Sequence, residues 1–72
     1  MPYVNVKVVE GVFDEETKQE MLKRITETMV DIEGEAMRPY TLVTLEELRS
    51  GDWSVGGQVI TTQAARSLRT AS

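Results

Sequence analysis

The sequence predicts an α+β fold: a β-α-β unit with parallel strands, followed by a short C-terminal hairpin. Three observations carry this expectation. Residues 3–9 and 40–47 are β-branched runs with alternating character, the pattern of strands. Residues 15–32 between them place apolar side chains at helical spacing. Residues 53–60 set the pair Gly56-Gly57 between two short arms, a hairpin signal. Two strands joined through a helix run parallel with a right-handed crossover.

In the first strand Val4, Val6 and Val8 point to one face, and Tyr3, Asn5, Lys7 and Val9 to the other. Glu10-Gly11 ends it, with Gly11 permitting the reversal. Asp14 is the expected N-cap of the helix, with Glu15 and Glu16 favourably placed against its dipole. Met21, Leu22, Ile25, Met29 and Ile32 form the apolar stripe, the first four of them the expected core, while Glu16, Lys23, Glu27 and Asp31 fall on the polar side. Gly34 is the expected C-cap. Residues 36–39 are a short connector, and Pro39 leads into the second strand at Tyr40. Glu46 and Glu47, adjacent in that strand, face opposite ways and so do not form an acid–base pair. Trp53-Ser54-Val55 and Gln58-Val59-Ile60 are the hairpin arms. The tail, Thr61 to Arg69, has Ala64, Ala65 and Leu68 spaced for one or two helical turns.

A chain of 72 residues makes one domain, residues 1–72, and buries only about 60% of its unfolded surface. It has no cysteine and no histidine, so neither disulfides nor a histidine or cysteine metal site can staple it. No cofactor or metal is expected. Oligomerisation is the remaining remedy for so small a scaffold. The topology asks for the same thing, because two parallel strands give one helix too little sheet to cover and parallel strands belong to larger sheets. Eight basic against twelve acidic residues give a net charge of −4, which argues against nucleic acid as the main partner. No apolar stretch approaches the roughly 18 residues of a membrane span, and nothing reads as a signal peptide. A chain without cysteine fits a reducing cytoplasm.

The residue with chemical potential is Pro2. Removal of Met1 would leave its secondary amine free at the head of a rigid strand. An ordinary α-amino group titrates at about 7.7–8.0. Apolar surroundings or a nearby cation lower that value and favour the neutral base.

Met1-Pro2 heading a strand, Glu10-Gly11 followed by Asp14-Glu15 opening a helix, and the run Gly51-Asp52-Trp53-Ser54-Val55-Gly56-Gly57 together resemble the 4-oxalocrotonate tautomerase family. The resemblance covers nearly the whole chain. It implies a tautomerase-like fold assembled into oligomers, usually hexamers built as trimers of dimers. It also implies proton transfer next to a carbonyl of a small-molecule substrate, with Pro2 as general acid/base. Trp53 matches the aromatic residue that walls the pocket, and Val9 and Val55 match apolar positions lining it.

The departures lie at the cations. Family members that handle a dicarboxylate carry an arginine just after the glycine matching Gly11, where this chain has Val12. They carry a second arginine in the second strand, where this chain has Leu42. The loss counts against 4-oxalocrotonate itself as substrate, and against the related hydrolytic dehalogenases, which likewise depend on arginines. Arg38 is the first candidate to replace the missing charge, then Arg49, then Arg66 and Arg69 of the tail reaching a neighbour's pocket. A second, related chain in a heterohexamer is the alternative source, which would make this chain a weak or inactive partner subunit.

Overall fold

The computed structural model describes residues 2–70. Strand β1 (Tyr3–Val9) and strand β2 (Leu42–Leu48) run parallel, paired from Tyr3 opposite Leu42 to Val9 opposite Leu48. The ladder is extended at both ends, where Leu42 N donates to Pro2 O at 3.1 Å and Glu10 N to Leu48 O at 2.8 Å. Helix α1 (Glu15–Glu33) makes the crossover, and Asp14 caps it by accepting from Thr17 N at 2.8 Å.

The alternation of the strands decides what each face of the sheet meets. Lys18 of α1 reaches Glu47 at 2.9 Å, so the helix lies over the face that carries Val4, Val6, Val8, Val43 and Leu45. The opposite face holds Tyr3 and Asn5, which both bond Thr44 Oγ1, at 2.9 and 2.7 Å, and the pair Lys7–Glu46 at 3.3 Å. Glu46 and Glu47 thus serve opposite faces.

Two expectations need correction. Val30, not among the residues expected in the core, is buried at 3%, while Ile32 at the end of the stripe is 80% exposed. A helix of 19 residues is about 28 Å long, longer than the roughly 23 Å of a seven-residue strand, so its last turn overruns the sheet. Val30 is covered from another side. A 3-10 segment, Glu35–Tyr40, folds back along α1 and brings Arg38 to Glu27 and Thr41 to Glu33. Val30 lies between Glu27 and Glu33 at i, i+3 spacing on that face. The same segment delays the second strand, which begins at Leu42 and not at Tyr40. Met37 N closes a tight turn on Gly34 O at 3.0 Å, and Pro39 sits inside the segment without an amide hydrogen for a strand ladder.

Strands β3 (Trp53–Val55) and β4 (Gln58–Ile60) form the expected antiparallel hairpin. Gly56 and Gly57 have φ of 58° and 86°, the positive pair that a type I′ turn requires. Helix α2 (Thr62–Thr70) is longer than the one or two turns expected. The molecule is elongated, 42 × 22 × 19 Å. Among the described residues no helix is long and apolar enough to cross a membrane.

Candidate active site

The residues singled out from the sequence fall into two groups at opposite ends of the β1–β2 ladder. Pro2 stands half-buried at the start of β1, its carbonyl fixed by Leu42 N. Leu42 is therefore its direct neighbour and is itself 49% exposed. Arg38, four residues before Leu42, belongs to the same end. Its guanidinium is already engaged: Nη1 and Nη2 donate to Glu27 at 2.5 and 3.1 Å, and Nε donates to Glu35 at 2.6 Å. These bonds raise the Arg38 pKa and hold both carboxyls below the usual glutamate range. A groove of about 450 Å³ beside it is lined by Leu22, Lys23, Thr26, Glu27 and Arg38.

The second group comprises Val9 and Val12, where β1 gives way to α1, and Trp53 and Val55 on the hairpin joined to that end. Val9 is 7% exposed, Val12 and Trp53 are half-buried, and Val55 is open to solvent. Hydrogen bonds between distant segments build this end. Ser50 N donates to Glu10 Oε1 at 3.3 Å, Gly51 N to the Ile60 carbonyl at 3.1 Å, and Thr62 N to Ser50 Oγ at 2.9 Å. Thr62 Oγ1 donates to the Glu10 carbonyl at 2.7 Å. Trp53 pairs with Ile60 in the hairpin, whose base is tied to this end through Gly51 N and the Ile60 carbonyl. Glu47 closes the inner side, its pKa lowered by the Lys18 ammonium and by Gly11 N.

Three arginines stand at this end. Arg49 is held by Asp52 at 3.2 Å. Arg66 Nε donates to the Gly11 carbonyl at 2.7 Å, and Arg69 Nη1 to the Val12 carbonyl at 3.4 Å. Arg69 also lies 4.8 Å from the centre of the Phe13 ring. The docking of α2 on the turn at 11–13 was not foreseen from the sequence. Its only trace there is the spacing of Thr62, Arg66 and Arg69 along one helical face.

The two groups are not brought together within one chain, since β1 alone separates them by about 20 Å at 3.3 Å per residue.

A parallel β-α-β unit closed by an antiparallel hairpin, with a proline at its head, is the architecture of the small tautomerases. The chain belongs to the tautomerase family: residues 2–63 match the family described as "Tautomerase enzyme". It is 36% identical over 58 residues to the 2-hydroxymuconate tautomerase of Bacillus subtilis (strain 168), covering 81% of this chain and 90% of that one. Among solved structures it resembles YwhB, a homologue of 4-oxalocrotonate tautomerase, with 33% identity, a TM-score of 0.66, and 79% and 90% of the two chains covered. It shares the fold of an apo unfused 4-OT at 23% identity, with a TM-score of 0.72 over 89% of this chain and 98% of the other. Family membership supports a tautomerase-type isomerase. The family match ends at residue 63, so nearly all of α2, with Arg66 and Arg69, lies beyond it.

Proposed function

We propose that this chain is an isomerase that moves a proton next to a carbonyl of a small enol or 2-keto acid, with the N-terminal amine of Pro2 as general acid/base once Met1 is removed. The neutral amine takes the proton from one position of the enol and, as an ammonium, returns it to a carbon of the same conjugated system, leaving the keto form and the free amine. The observation that carries this reading is the placement of Pro2: its carbonyl is locked into the sheet by Leu42 N at 3.1 Å, which fixes the ring nitrogen on a rigid element. Apolar walls from Trp53, Val9 and Val55 would disfavour the ammonium and keep the amine basic near neutrality.

Such a site needs a second copy, because Pro2 and the Val9–Trp53 end of the same chain are far apart. The two-stranded sheet also leaves Tyr3 61% and Leu42 49% exposed, apolar surface suited to packing against a neighbour. A homo-oligomer, a hexamer by resemblance, fits both needs. Turnover of phenylenolpyruvate that disappears in Pro2→Ala tests the assignment. The apolar residues Val12 and Leu42, standing where dicarboxylate-handling relatives carry arginine, favour a second reading as the partner subunit of a heterohexamer. In that case the purified chain is inert and gains activity when mixed with a related chain carrying those arginines.

A further inference from the structure

We infer that Arg66 of α2 is the cation that binds the substrate carboxylate, standing at the turn where Val12 supplies no charge, and that it serves the Pro2 of another copy. This deepens the proline reading proposed above. Among the four arginines considered from the sequence, Arg38 is bound to two carboxylates and Arg49 to one. Arg66 has no carboxylate within ion-pair distance among the described residues. Its Nε is spent on the Gly11 carbonyl at 2.7 Å, which fixes the plane of the guanidinium. That leaves the Nη edge, the two-pronged donor that suits a carboxylate. The side chain is exposed in the single chain, so a ligand can reach it.

The placement is held by more than the arginine. Thr62 ties the first turn of α2 to the Glu10 carbonyl at 2.7 Å and to Ser50 Oγ at 2.9 Å. Gly11 has φ of +78°, and a Cβ there would lie 3.1 Å from Thr62 Cγ2 and 3.7 Å from Arg66 Nη2. The turn thus accepts the helix and its cation because it carries no side chain at that point. The acidic side chains of this end have other partners: Glu10 accepts from Ser50 N, Glu47 pairs with Lys18, Asp52 with Arg49, and Asp14 accepts from Thr17 N. With Arg49 engaged by Asp52 and Arg69 by the Val12 carbonyl and the Phe13 ring, one guanidinium is left to recognise one carboxylate, so the substrate class is a monocarboxylic enol or 2-keto acid.

Two measurements on the full-length protein test this. The first is equilibrium binding of trans-cinnamate, a monocarboxylate that cannot tautomerise. Binding is expected in the wild type and in Pro2→Ala, and it should weaken by about 10–100-fold in Arg66→Ala and less in Arg66→Lys. Binding unchanged in Arg66→Ala overturns the inference, whatever Pro2 does. Cinnamate binding that depends on Arg66 in a protein without turnover supports the arginine site and removes the proline mechanism alone. The second is turnover of phenylenolpyruvate against its methyl ester. Arg66→Ala should lose the acid selectively, whereas an equal loss on both would mean that Arg66 only docks α2 and would overturn the inference. Mixing Pro2→Ala with Arg66→Ala should restore activity at about a quarter of the sites if assembly is random and each site draws on two copies. No recovery would overturn the arrangement between copies.

Discussion

Substituting Gly11 by alanine probes the contact on which the α2 docking depends. At φ of +78° an L-residue pays about 1–2 kcal/mol in backbone strain. The new Cβ would also meet Thr62 Cγ2 at 3.1 Å, close enough that α2 or the turn must shift. Gly51 is the matched control, because its φ is +88° and nothing lies within 4 Å of the Cβ position. Gly51→Ala should therefore cost about 1–2 kcal/mol from strain alone, and Gly11→Ala about 1 kcal/mol more from overpacking. Thr62→Ser removes the offending methyl and keeps the hydroxyl that bonds the Glu10 carbonyl, so the double variant should recover about 0.5–1 kcal/mol. Denaturant unfolding of the four variants at one protein concentration measures these differences, with concentration fixed because association contributes to apparent stability. If Gly11→Ala is no worse than Gly51→Ala, or Thr62→Ser returns nothing, α2 does not pack on this turn as described.

Two further outcomes follow from the same structure. Glu47 is held below the ordinary glutamate range by Lys18, and Glu27 and Glu35 by Arg38. Depressed carboxyl values contribute stability that is complete above the unfolded pKa, about 4.3, and is lost as pH falls through the folded values. Unfolding midpoints should be level at pH 6–7 and fall below about pH 4.3, with a shallower fall in Glu47→Gln. Val30→Ala, at a position 3% exposed, should cost about 2 kcal/mol, whereas Ile32→Ala, at 80% exposed, should cost little in the isolated chain; thermal unfolding separates the two.

Most of the fold was legible because each element had a local cause. The valines of β1 alternate, Asp14 caps α1, and Gly56-Gly57 supply the positive φ values of the hairpin turn. Ile32 shares the stripe but not its burial, because periodicity reports which residues share a face, not how far the sheet beneath them extends. The late start of β2 was hidden because Tyr40 and Thr41 look like strand residues, while the 3-10 turn depends on bonds from Thr41 back to Glu33 and Met37. The candidate residues could be named from their types and motifs. Their separation by the length of β1 is geometric, and so is the meeting of Arg66 with Gly11 across 55 positions of sequence. Local pattern cannot report a contact of that range.

Whether the Pro2 amine is the base can be read from a single titration. Protein shown by intact mass to lack Met1 would be labelled with ¹⁵N at proline, and the Pro2 nitrogen followed against pH beside the pH dependence of phenylenolpyruvate turnover. If Pro2 is the base, its amine should titrate once, below the ordinary α-amino range of about 7.7–8.0, with kcat/KM rising through that same value and no such turnover in Pro2→Ala. A retained Met1, or an amine that titrates without any matching change in turnover, would contradict it.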